Sequence, residues 1–279
     1  MKNVISVSMV SILSSLALSL SAQAAEPYRI LLTSFDPFGL SAKNNSQPVA
    51  KRVAQLAASL GEDVQVEVCN LPVTYDNAAV AARECVDRHH PSAVVSLGEG
   101  FCDLRIETAA TNWDAATLPD NAGQVRSGRP IIPGGPQHTP FQFPVQAMFC
   151  AVDADHPPVT VSTDPGTFVC NNTAYHLSQD LSARGIPFTF IHVPHSKCSA
   201  SQKDVEKNAQ IIAKMLHAAI PALRAPARAP SVWIRPGSAV LKMPASRAEA
   251  QTIELELQSS HAPACEQKFA HWLVQDFHE

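Results

Sequence analysis

The sequence predicts an α/β fold of three layers, α/β/α, with a mainly parallel sheet and a C-terminal extension. Three observations carry that expectation. Short apolar runs recur along the chain, segments of helical spacing separate them, and a proline-rich stretch sets the last part of the chain apart. Strands that alternate with helices imply right-handed crossovers and a sheet covered on both faces.

Residues 28–33 (YRILLT) form an apolar run suited to a buried strand, and 48–60 repeat apolar side chains at Val49, Val53, Leu56 and Leu60. Residues 64–71 alternate like a strand. Residues 77–88 are alanine-rich and helical, with Arg88, His89 and His90 where cations suit a helix end. Further strands are predicted at 93–97, 159–162 and 188–193, and helices at 168–181 and 204–223. The stretch 225–236 (APARAPSVWIRP) reads as a linker or surface strap, 252–257 (TIELEL) as a strand, and 265–278 as a helix with an aromatic stripe at Phe269, Trp272 and Phe277.

Composition narrows the class. A chain of 279 residues, 46% hydrophobic and 16% charged, buries a real core and is not a disordered polymer. A net charge of -4 gives no electrostatic reason to expect a nucleic-acid partner. Residues 1–24 have the form of a secretory signal: Lys2, an apolar run diluted by serines, then Ala22-Gln23-Ala24. The expectation is a periplasmic or secreted protein with no membrane association after signal cleavage, divided into a signal peptide (1–24), an α/β domain (25–223) and a C-terminal extension (224–279).

All seven cysteines follow the signal, in a compartment where disulfides persist. Three disulfides and one free thiol are the simplest arithmetic, and a leftover cysteine is a candidate nucleophile; six partners allow about 15 pairings. The position of Cys265 suggests that it staples the tail to the main domain. His192, His195 and Cys198 sketch a metal site, but that segment begins in a strand pattern and carries Pro194. Neither metal nor cofactor is expected.

In open α/β sheets the functional crevice lies outside the carboxyl ends of the strands. Glu107 falls in the loop after the 93–97 strand, Cys170 beyond the 159–162 strand, and His192 at the end of the 188–193 strand. Cys170 also falls in the first turn of a helix, where free N–H groups and the dipole favour a thiolate. Spacing does not by itself single out these three among the other cysteines and histidines.

The motifs around them do more. Residues 30–39 (ILLTSFDPFG) resemble the GFDPFGG signature of the pyroglutamyl peptidase I (pyrrolidone carboxyl peptidase) family of cysteine peptidases. Leu118-Pro119-Asp120-Asn121-Ala122-Gly123 is similar to that family's IPDNxG, residues 166–171 (GTFVCN) to its GTYVCN, and 191–194 (IHVP) to its FIHVP. The resemblance implies a Cys170–His192–Glu107 triad, Glu107 being reached by counting back from Asn112 without a gap. It further implies a lactam ring held between Phe35 and Phe38, a peptide substrate with a blocked N-terminus, and a homo-oligomer, since members of the family often assemble.

Departures from the pattern keep other readings open. Ser34 and Leu40 replace signature glycines, and the family's GQAGGR run is here Gly98-Glu99-Gly100-Phe101-Cys102-Asp103, with the loop to Glu107 two residues shorter. Glutamine donates and accepts, whereas ionised Glu99 only accepts, so a Glu99 that faces the ring would repel the lactam carbonyl. The leading expectation is an exported enzyme that removes N-terminal pyroglutamate through a Cys170 thioester. The alternatives are the same triad acting on another N-terminal acyl or amide group, and a non-catalytic binding protein on the same fold.

Overall fold

The computed structural model describes residues 26–152, 159–199, 201–225, 248, 250–252, 254–255 and 263–276. The signal-like segment and residues 226–236 of the expected strap lie outside them. Among the described residues no helix is long and apolar enough to cross a membrane.

The main sheet has six strands in the order β2 (Val64–Leu71), β1 (Tyr28–Phe35), β3 (Ala93–Gly100), β10 (Phe188–Pro194), β4 (Leu104–Glu107) and β9 (Val159–Ser162). Alternate residues of its central strands face two separate apolar cores. Val95 and Leu97 of β3 and Ile191 and Val193 of β10 pack with α1 (Ser46–Gln55), α3 (Val145–Val152) and α5 (Gln202–Arg224). Val94, Phe188 and Phe190 pack with α2 (Ala78–His89) and α4 (Val169–Ala183). Because both faces are buried, β3 is apolar almost without a break, and three layers result. At the start of α5, Ser201 and Asp204 form a capping box: the Ser201 hydroxyl accepts the Asp204 N–H at 3.2 Å, and the Asp204 carboxylate accepts the Ser201 N–H at 3.0 Å.

The sheet is not parallel throughout. β10 pairs antiparallel with β4, which pairs parallel with β9. Only residues 101–103 link β3 to β4, too few for a crossover to the other end of the sheet, so β4 must run back. Glu107 therefore belongs to a strand, not to the loop expected from the sequence. It and the end of β9 come from strands running against β3 and β10, so the rule about carboxyl ends places His192 but not its partners.

Four short strands follow β4 and form two small antiparallel pairs that apolar spacing did not predict. They are β5 (Ala109–Thr111) with β8 (His138–Pro140), and β6 (Asp114–Ala116) with β7 (Arg126–Arg129). In the tail, α6 (Ala264–Asp276) buries Phe269, Ala270 and Leu273, and Phe269 meets Phe149 of α3 with ring centroids 5.8 Å apart. The strand expected at 252–257 is corrected: residues 250–252 and 254–255 are helical, and the Thr252 hydroxyl donates to the Ala248 carbonyl, four residues back, at 3.0 Å. Helical spacing puts Ala250 and Glu254 on one side, where Ala250 joins the core with Phe269 and Glu254 bonds His271 at 2.8 Å.

Candidate active site

His192 lies on the face of β10 that looks towards α4, level with Gly98 of β3. Cys170 is the second residue of α4. The two meet only because β3 carries glycine there. A Cβ on Gly98 would lie 2.7 Å from the Phe190 ring and 3.0 Å from the Cys170 sulfur, and one on Gly100 would lie 2.9 Å from the His192 ring. The start of α4 is fixed from the side by two fully buried asparagines. Asn171 accepts the Thr111 N–H at 2.9 Å and donates to the Thr111 and Trp113 carbonyls, while Asn172 donates to Asp114, which also pairs with Arg126. The N-cap is Phe168, whose side chain cannot cap, so main-chain N–H groups of the first turn stay available to an incoming anion.

Glu107 and His192 are both buried, with Glu107 Oε1 2.7 Å from His192 Nδ1. The other ring nitrogen, Nε2, is left free of Glu107, and the Cys170 thiol borders the same cavity as the imidazole and acts on its charge. Burial alone would lower the His192 pKa; hydrogen bonds to Cys170 and Glu107, and the charge on each, overturn that and push it up to about 10. Burial pushes Glu107 upward. Held 2.7 Å apart, the two act as a unit whose shared proton rests on the imidazole. The structure thus brings together the three residues expected as a triad.

A cavity of about 160 Å³ opens beside them, lined by Phe35, Phe38, Val73, Glu99, Phe101, Phe168, Cys170 and His192 among others. A cavity of about 150 Å³ holds one benzene-sized ring. Phe35 is fully buried at the end of β1, and Phe38 packs on Phe168 with centroids 5.8 Å apart. The block at 118–123 builds this wall from behind. Asp120 accepts the N–H groups of Tyr75, Ala122 and Gln124, and Asn121 donates through its main chain to Val73 and through its side chain to Pro37. Sequence reasoning missed Val73, Phe101 and Phe168. Phe168 was detectable, because it stands two residues before Cys170 at a helix start.

Glu99 does not meet the expectation placed on it. The residue is 5% exposed, but its side chain has no exposed surface at all, so it borders the cavity through its main chain. Strand alternation turns its carboxylate to the face opposite Gly98 and Gly100. There it accepts the Asn45 N–H and, at 3.1 Å, the Ser196 hydroxyl, with His195 Nε2 3.5 Å away. Nor do His192, His195 and Cys198 converge, since Cys198 pairs with Cys102.

The other cysteines pair as Cys69–Cys85 and Cys150–Cys265, with Cα atoms 6.4 and 5.3 Å apart. Cys150 lies on α3 and Cys265 on α6, so the tail is stapled to the main domain. Cys170 is free.

A family model described as pyroglutamyl peptidase matches residues 28–229. The chain belongs to the pyroglutamyl peptidase family. It is 38% identical over 170 residues to the pyrrolidone-carboxylate peptidase of Gloeobacter violaceus, covering 60% of this chain and 82% of that one. Against the enzyme of the same name from Pseudomonas fluorescens it is 33% identical over 195 residues, 68% of this chain and 90% of that. Among solved structures, pyroglutamyl peptidase I of Bacillus amyloliquefaciens superposes with a TM-score of 0.61 at 28% identity, over 68% of this chain and 97% of that one. Pyrrolidone carboxyl peptidase from Thermococcus litoralis, at 22% identity and TM-score 0.61 over 70% and 94%, shares the fold. As a member of the pyroglutamyl peptidase family, the chain is a cysteine peptidase.

Proposed function

We propose that the chain is an exported peptidase that hydrolyses N-terminal pyroglutamyl residues from peptides through a thioester on Cys170. One observation supports this above the others: a single buried imidazole, bonded to Glu107, lines a ring-sized apolar cavity together with the free Cys170 thiol. The Cys170 sulfur attacks the pyroglutamyl carbonyl carbon while its proton resides on His192. The tetrahedral oxyanion takes the Cys170 main-chain N–H at the start of α4. His192 gives its proton to the departing amine as the C–N bond breaks, then takes one from the water that hydrolyses the thioester. Glu107 keeps the ring in one orientation and offsets its charge.

The cavity selects the acyl group by what it lacks. Its walls are mostly aromatic and aliphatic, and the carboxylate of Glu99, the one acidic residue among its lining, points away. A neutral lactam enters such a space, whereas a charged α-amino terminus would be stripped of water without a partner. With Glu99 turned away, one of the two reasons to consider a different acyl group falls, and the shortened loop to Glu107 is the other. The signal-like segment 1–24 and the three cysteine pairs support export to the periplasm or the medium.

The test is release of a fluorescent amine from a pyroglutamyl aminomethylcoumarin by the chain lacking residues 1–24, beside Cys170→Ala. Turnover should fall by roughly 10⁴-fold or more in the variant. Equal rates in both proteins, or none in either, would defeat the proposal.

A further inference from the structure

We propose that Phe101 forms a leaving-group subsite that favours an aromatic residue directly after the scissile bond. The inference rests on the pyroglutamyl peptidase reading and extends it to the other half of the substrate. Phe101 stands where this chain departs from its family's glycine-rich run. Its backbone adopts a φ of 47°, a region that a Cβ-bearing residue enters at a cost. A large apolar side chain held there and still 44% exposed calls for a reason.

The surroundings fix the ring in place. Its carbonyl accepts the His195 N–H at 2.9 Å, and the next residue, Cys102, pairs with Cys198, so two tethers tie this turn to the segment after β10. The Arg105 guanidinium covers one face of the ring, 3.8 Å from its centroid, and Arg105 is itself held by Asp103 at 3.1 Å. The ring meets His192 edge-on, with centroids 5.5 Å apart and planes at 86°.

That last contact identifies the occupant. Phe35 and Phe38 border the part of the cavity that takes the acyl ring, and the amine leaves towards the imidazole that protonates it. The residue carrying that amine must pass Phe101, which offers it a rigid exposed aromatic surface. Aromatic rings pair favourably beyond their buried area, enough for about a tenfold preference.

The test compares kcat/KM for pyroglutamyl-phenylalanine amide and pyroglutamyl-glycine amide, followed by release of the free amine, in wild type, Phe101→Gly and Phe101→Tyr. Glycine suits the positive φ, and each preparation supplies both numbers, so differences in folded fraction cancel from the ratio. Wild type should favour the phenylalanine substrate by about tenfold, Phe101→Gly should bring the ratio close to one, and Phe101→Tyr should restore it. A ratio unchanged by Phe101→Gly, or a wild type without preference, overturns the subsite while leaving the peptidase reading intact. A wild type that cleaves neither amide overturns both.

Discussion

Two glutamates eight residues apart, Glu99 near the end of β3 and Glu107 at the end of β4, each sit buried beside a histidine. Glu107 lies 2.7 Å from His192, and Glu99 3.5 Å from His195. The pairs differ in what else each partner touches. His195 keeps 28% of its side-chain surface exposed, and Glu99 joins the loop before α1 to the loop after β10 through Asn45 and Ser196. His192 is 3% exposed, and it shares its cavity with the free Cys170 thiol. A carboxylate beside an imidazole therefore does not by itself distinguish the two pairs; dryness and a thiol in the same cavity do.

The largest contrast should come from Glu107→Gln, which keeps shape and removes charge. We expect kcat/KM to drop roughly 10²- to 10⁴-fold. In the wild type the high-pH limb of the pH–rate profile should follow loss of the His192 proton near pH 10, and the variant's limb should lie at lower pH. The stability sign agrees: a pKa raised from 6.5 to about 10 stabilises the fold fully below pH 6.5 and loses that contribution as the pH climbs through 10. Thermal melts across that range should therefore decline more steeply in wild type than in Glu107→Gln.

Gly98→Ala probes the close approach that lets thiol and imidazole meet. With its added Cβ 2.7 Å from the Phe190 ring and 3.0 Å from the Cys170 sulfur, kcat should fall by up to roughly 10²-fold and stability by about 1–3 kcal/mol in denaturant titration. Full activity would show that the site has more slack than its packing implies.

Glu99→Gln should do least to catalysis. Its kcat should stay within about threefold of wild type, since most substitutions outside a reacting site act on stability, while the loss of bonds to a charged acceptor costs about 1–3 kcal/mol, seen as a lower melting temperature. A Glu99→Gln enzyme as crippled as Glu107→Gln would erase the distinction between the two pairs.

Much of this was legible beforehand, for definite reasons. Apolar spacing marked the strands and helices that flank the site because both faces of the sheet are covered, and the motifs around Phe35, Cys170 and His192 marked three of its corners. Strand direction was not legible: nothing local in Leu104–Glu107 says that β4 runs back, which only the three-residue link from β3 dictates. Glu99 illustrates a signal that was present and unused. It shares parity with Val95 and Leu97 of the same strand, so the face opposite the glycines was already its place. Phe101 and Val73 reach the cavity from turns whose course depends on distant partners, Cys198 and Asn121 respectively.

The Cys150–Cys265 bond spans 115 residues and closes a ring of chain that contains both Cys170 and His192. A protease that cuts once anywhere inside that ring, whether in a surface turn or in the proline-rich connection, leaves the two fragments covalently joined. A nick there is then an injury that need not part Cys170 from His192.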